Sequence, residues 1–237
     1  KSMQTTAARI KRDQNLLEVE DEIAPVSEVF RIQGETELAE AEKKYLPGKN
    51  PFSAVILAAS RGKELGELTE EVPKCMVSIA GEPLLARIAD TYRQSGVREI
   101  HVVTGYAAKK VDLPAIHYFE NREFADTGEI YSLCQARSAI AGNVIISYGD
   151  VLFRKFILHE LLDDKHDITI VVDSRWEESR NAGRATDYVV CSEPHNRQSF
   201  YKQIRLVAVH EAAASDTTGE WAGILKLSAR GSQTVIR

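Results

Sequence analysis

The chain has 237 residues, enough for one sizeable core and an appendage. Hydrophobic content of 43% and charged content of 27% are ordinary for a globular protein, and a formal net charge of -5 without a basic stripe argues against a nucleic-acid partner. Cys75, Cys134 and Cys191 are too few and too scattered for a disulfide framework or a metal cluster. No apolar run approaches the roughly 18 residues of a membrane span, and the first residues lack a signal-peptide core. A soluble cytoplasmic protein without a membrane partner is expected.

Residues 1–50 are charged, Glu-rich from Glu18 to Glu42, and end at the breaker Leu46-Pro47-Gly48. Leu16, Leu17, Val26, Val29, Phe30, Ile32 and Leu38 give enough apolar spacing for short helices. Two readings stay open: a solvated linker with helical pieces, or a connector from an upstream domain. Residues 51–237 form the main domain.

From Phe52 onward strand and helix patterns alternate. Strands are predicted over 53–59, 76–80, 99–103, 115–119, 143–148, 167–173, 186–192, 203–209 and 221–227, and helices over 83–95, 129–141 and 154–163. Ala54 to Ala58 are all core-type residues, as in a parallel strand buried on both faces. The alternation implies an α/β fold: a Rossmann-like, mostly parallel mixed sheet flanked by helices. The late strands lack long crossovers and are expected to form a smaller antiparallel lid extension.

The first strand opens into Ala59-Ser60-Arg61-Gly62-Lys63, where small side chains, successive N–H groups and two cations suit a triphosphate. The carboxyl edge of an open α/β sheet is where ligands bind. Tyr148-Gly149-Asp150 ends another apolar strand at that edge, and a carboxylate beside a glycine suits a divalent cation bridging phosphates, although Gly-Asp is also a common turn. Asp173-Ser174-Arg175-Trp176 closes the next strand. Asp173 is a candidate contact for the polar tail of a substrate and Arg175 for an anion, against the reading of a solvated turn. Thr127-Gly128-Glu129-Ile130-Tyr131-Ser132-Leu133 precedes a helix, and Thr127 or Ser132 is a candidate cap. Arg180, Arg184, His195, Arg197 and Lys202 populate the lid region, where most read as surface charges. Trp221, before Gly223, reads as core rather than as a base-stacking ring. The six histidines show no metal-ligand spacing, and no Gly-x-Ser-x-Gly elbow occurs.

Leu57-Ala58-Ala59, Gly62, Leu65, Leu68-Thr69, Pro73-Lys74, Ile79, Gly81 and Pro83-Leu84-Leu85 resemble the nucleotidyltransferase signature of sugar-phosphate, choline-phosphate and phosphonate nucleotidylyltransferases. Two positions depart from it: Ser60 replaces the first loop glycine, and Glu64 stands where arginine is usual. A carboxylate cannot neutralise phosphates, so Arg61 and Lys63 become the candidates for that charge. The resemblance implies that Leu57, Ala58, Ala59, Ser60 and Gly62 cradle the nucleotide with Tyr148 and Gly149. It implies that Lys74 reaches the phosphates, that Asp150 binds Mg²⁺, and that Gly128, Glu129 and Ser132 face a pyrimidine, hence CTP. The second metal aspartate usual in the family finds no convincing match.

The variant AASRGKEL, and the run over 27–47, resemble the cytidylyltransferase domain and connector fused behind a phosphoenolpyruvate phosphomutase in phosphonate biosynthesis of the fosfomycin type. The chain is then expected to be a fragment of a longer protein. The implied reaction transfers CMP from CTP to a small phosphonate, 2-hydroxyethylphosphonate first and 2-aminoethylphosphonate next. Two alternatives are a sugar-1-phosphate or phosphocholine nucleotidylyltransferase, and a module that senses CTP for a fused phosphomutase.

Overall fold

The computed structural model describes residues 51–178, 187–196 and 204–235. The expected connector over 1–50 lies outside them, as do Arg180, Arg184, Arg197 and Lys202 of the expected lid.

Strand β1 (Phe52–Ala58) carries Ala54, Val55 and Ile56 fully buried, as a central parallel strand requires. The predicted second strand over 76–80 is not a sheet member. It is a single 3₁₀ turn over Lys74–Met76 followed by the exposed two-residue strand β2 (Ser78–Ile79), paired with β3 (Glu82–Pro83) in a separate hairpin. Ala80 and Gly81 both have positive φ, as a tight two-residue hairpin turn demands. Helix α1 (Leu84–Gln94) buries Leu84, Leu85, Ile88, Ala89 and Tyr92, one stripe at helical spacing. It stops at Ser95, where Gly96 takes a left-handed φ of 83° and the Val97 N–H returns to the Tyr92 carbonyl at 3.0 Å.

Strands β4 (Glu99–Thr104) and β5 (His117–Glu120) extend the sheet parallel to β1 on one side. Helix α2 (Glu129–Gln135) is shorter than the predicted 129–141, because Ala136, Ala139 and Ile140 leave the helix to enter the core with Val55, Val103, Val144 and Ile146. Strand β6 (Asn143–Tyr148) then pairs parallel with β1 on its other side. The chain therefore reverses its direction of travel across the sheet at β1, a topological switch point.

Helix α3 (Lys155–Asp163) leads to β7 (Ile168–Asp173), then β8 (Tyr188–Cys191), β9 (Leu206–His210), β10 (Gly219–Leu227) and helix α4 (Ala229–Val235), the last not foreseen from sequence. The strand predicted over 221–227 is no lid: β10 runs antiparallel within the main sheet, between β6 and β7. Among the described residues, only β8 and β9 form the smaller antiparallel extension, attached to the start of β10. The expected mixed sheet stands, with β5, β4, β1, β6 and β7 all running one way. Their carboxyl ends bring Ala58, Asp150 and Asp173 to one edge.

Candidate active site

The loop after β1 is shaped by bonds from three other segments and by one within itself. The Tyr106 N–H donates to the Ala59 carbonyl at 2.9 Å, and the Lys74 N–H donates to the Arg61 carbonyl at 3.1 Å. Buried Thr69 donates its hydroxyl to the Gly62 carbonyl at 2.8 Å, which explains the Leu-Thr pair of the motif: Leu68 is exposed and the threonine ties the loop. Ser60, the replacement for a glycine, accepts the Gly62 N–H on its Oγ at 3.2 Å. One of the successive N–H groups expected to meet phosphate is thus spent inside the loop. Below it, Cys75 Sγ lies 3.9 Å from the Ala58 carbonyl and burial pushes its thiol up to about 12, so it packs and does not react.

Gly62 has a φ of 75°, and a Cβ there would lie 2.8 Å from Lys74 Cβ. The lysine stem crosses the loop over bare backbone. Gly62→Ala is expected to lose about 1–2 kcal/mol in a denaturant titration through the left-handed strain. Displacement of the stem should lower nucleotidyl transfer at least about tenfold; an unchanged rate would show that the approach of stem to loop is irrelevant. Gly149 is equally constrained, since a Cβ would sit 2.7 Å from Ala58 Cβ, and its N–H bonds the Leu57 carbonyl at 2.7 Å.

Lys74 Nζ lies 2.8 Å from Asp150 Oδ2 and 2.6 Å from Glu64 Oε1. Burial alone would lower the lysine, but the bonds to Asp150 and Glu64 outweigh it and hold Lys74 above the usual range. Glu64 is held below the usual carboxylate range by the Lys74 bond. The ammonium therefore stays charged at the strand edge. Magnesium prefers one or two carboxylates together with water and phosphate oxygens. Asp150, on a turn where Gly149 keeps the backbone close-packed, suits such a cation. No group of three or more His, Cys, Asp or Glu suited to a metal occurs among the described residues.

Of the other expected residues, Arg61 donates Nε to the Thr69 carbonyl at 3.2 Å and lays its guanidinium 5.3 Å from the centre of the Tyr106 ring. Lys63 is exposed. Tyr148 packs its ring 5.4 Å from that of Trp221, over Gly223. Its phenol is raised by burial and then by the carboxylates of Glu129, Asp187 and Asp150. Gly128 is the N-cap of α2 and no side chain caps that helix, so neither Thr127 nor Ser132 plays the expected capping part. Ser132 is buried, with its Oγ accepting from Asn121 Nδ2 at 3.0 Å. The fully buried Asn121 also donates to Thr127 Oγ1 at 3.0 Å and accepts from the Glu123 N–H at 2.9 Å, so one side chain organises the whole turn.

Asp173 accepts the Arg175 N–H at 2.8 Å, and Arg175 reaches Glu178 at 3.3 Å, both local turn contacts. Arg175 and His195 line a cavity of about 380 Å³ with Ser174, Trp176 and Thr218, apart from the Lys74 loop.

A glycine-bearing loop with Lys74 and Asp150 at the switch point of such a sheet is the arrangement of a nucleotidyltransferase domain. Residues 54–180, more than half of the chain, match the MobA-like NTP transferase domain, and the chain belongs to that family. It is similar to the CTP:phosphoglutamine cytidylyltransferase of Campylobacter jejuni, 29% identical over 138 residues, 53% of this chain and 54% of that protein. It is also similar to the CMP-5'-(3-aminopropyl)phosphonate synthase of Streptomyces rubellomurinus, 32% identical over 123 residues, 48% of this chain and 20% of that protein. The matches thus span about half of the first relative and a fifth of the second. The inositol-1-phosphate CTP transferase of T. maritima shares the fold with a TM-score of 0.62 at 21% identity, covering 79% of this chain and 74% of that one. The CTP:phosphocholine cytidylyltransferase of Streptococcus pneumoniae does so with a TM-score of 0.56 at 19% identity, covering 78% and 75%. No helix among the described residues is long and apolar enough to cross a membrane.

Proposed function

We propose that this domain is a cytidylyltransferase that moves CMP from CTP to a small phosphonate. The observation that carries the reading is the Lys74–Asp150 pair at 2.8 Å, set where β1 and β6 end and over a glycine loop built for close approach. A phosphonate oxygen attacks the α-phosphorus, the bond to the bridging oxygen breaks, and pyrophosphate leaves. The acceptor oxygen is already ionised near neutral pH, so no general base is required. Lys74 follows the charge as it moves to the leaving group, with Arg61 and Lys63 on the loop side, and such charge tracking lowers the barrier more than ground-state binding does. Asp150 would hold Mg²⁺, which would supply charge neutralisation for the phosphates.

For the acceptor, the Tyr148–Trp221 ring pair lies beside the Asp187 backbone, whose carbonyl accepts the Trp221 N–H at 2.8 Å, and the Asp187 carboxyl is raised by burial and then by Glu129, Glu211 and Glu220. Rings together with carboxylates suit an ammonium group. This supports 2-aminoethylphosphonate over 2-hydroxyethylphosphonate, as does the aminopropylphosphonate in the name of the Streptomyces relative. The test is pyrophosphate release with Mg²⁺ and each of four nucleoside triphosphates, crossed with both phosphonates, phosphocholine and glucose-1-phosphate. Release with CTP and aminoethylphosphonate is expected. Release with a sugar phosphate instead would refute the phosphonate reading, and CTP binding with no release from any pair would favour a regulatory module.

A further inference from the structure

We propose that Glu64 is a positioning residue for Lys74: it latches the ammonium in the empty pocket, so that a triphosphate is admitted with its divalent cation and resisted without it. The inference rests on the site being one for a triphosphate, and not on the identity of base or acceptor.

The geometry is specific. Gly62 leaves bare backbone for the lysine stem to cross, and Glu64, two residues further on in the 3₁₀ turn over Lys63–Thr69, meets the head of that stem at 2.6 Å. Asp150 holds the same Nζ from the turn that follows β6 at 2.8 Å. One cation between two carboxylates leaves the trio with a formal charge of −1. A bare triphosphate must approach this excess negative charge and also draw Lys74 from both partners. A cation arriving with the triphosphate takes over Asp150, and Lys74 then has only Glu64 to leave. The Glu64 side chain is 60% exposed, against 28% for Lys74, so that remaining pair is solvated and easily opened. A carboxylate at a position that looked unsuited to phosphates thus gains a role: it sets which form of the nucleotide enters.

The experiment is calorimetric titration of inorganic tripolyphosphate, in EDTA and in Mg²⁺, into the wild type, Glu64→Gln, Glu64→Asp, Lys74→Met and the Glu64→Gln/Lys74→Met double variant. Freeing Lys74 from its pair with Glu64, together with removing one negative charge a few ångströms from the anion, is expected to tighten binding to Glu64→Gln in EDTA about five- to tenfold. With Mg²⁺ the change should be less than about twofold, because the cation already offsets the negative charge. Glu64→Asp should stay near the wild type, and Glu64→Gln should give a clearly smaller gain in the Lys74→Met background, where the bare charge is removed but no ammonium is freed. Equal behaviour of wild type and Glu64→Gln in EDTA, including no binding by either, overturns the latch. So does an equal gain in the Lys74→Met background, which would mean plain charge removal. Parallel titration of the wild type with CTP and the other three nucleoside triphosphates separates the two ideas. A latch seen with tripolyphosphate but no preference for CTP refutes the cytidylyl reading and leaves Glu64 in its role.

Discussion

Lys74→Ala is expected to lower kcat for nucleotidyl transfer by about 10²–10³, the effect of removing one preorganised charge from a developing oxyanion, roughly 3–4 kcal/mol. The loss should fall mainly on kcat, because a group that strengthens its contact as charge moves toward the leaving pyrophosphate contributes more to the transition state than to the bound substrate. Folding should be little changed. The Lys74 side chain is 28% exposed and its two partners more so, at 60% for Glu64 and 33% for Asp150, so the ion pairs are screened and worth within about 1 kcal/mol. Lys74→Arg should recover only part of the rate, because a planar fork cannot follow the narrow path over Gly62 that the lysine stem takes. A steady-state assay beside a thermal melt checks this. A variant that keeps kcat but raises KM would turn Lys74 into a binding group only.

Much of the fold was legible because hydrophobic periodicity is local. β1, β4, β6 and α1 lie within a residue or so of their predicted bounds, each a run whose burial follows from its own composition. What escaped depends on partners far along the chain. The run over 76–80 has strand-like composition, yet its neighbours in space supply no ladder and it makes only a small hairpin. β10 reads like any late strand, and nothing local says that it inserts between β6 and β7. The same divide runs through the site. Lys74 and Asp150 were readable from motif and strand end, and the structure brings them together. Asn121, which organises the turn before α2, and Tyr106, which backs Arg61, lie in no motif. Glu64 was visible only as a departure, since its 2.6 Å contact exists only once the loop is folded.

Lys226→Met is expected to destabilise the domain by about 3 kcal/mol, the low end for breaking a buried pair. Lys226 is 1% exposed near the carboxyl end of β10, with Nζ bonded to the Asp164 carboxylate at 2.9 Å, to the Asp164 carbonyl at 3.0 Å and to the His166 carbonyl. Methionine fits the channel but leaves two carbonyls without a donor and a carboxylate without its cation. The low end applies because Asp164 keeps the Thr169 hydroxyl at 2.6 Å and the His166 ring at 2.9 Å. The pair staples β10 to the turn between α3 and β7, and so fixes the register of the strand that lies between the Asp150 and Asp173 ends. Its pH dependence has a definite sign. Burial would raise Asp164, but the bonds from Thr169, His166 and Lys226 outweigh it and hold the carboxyl below its usual range. A depressed carboxylate contributes stability that is complete above its unfolded value, near about pH 4, and is lost as the pH falls through the lower folded value. Urea titrations of wild type and variant at pH 7 and pH 3 should therefore show the 3 kcal/mol gap narrowing in acid. A gap that stays constant or widens at pH 3 would mean that Lys226 stabilises by packing alone.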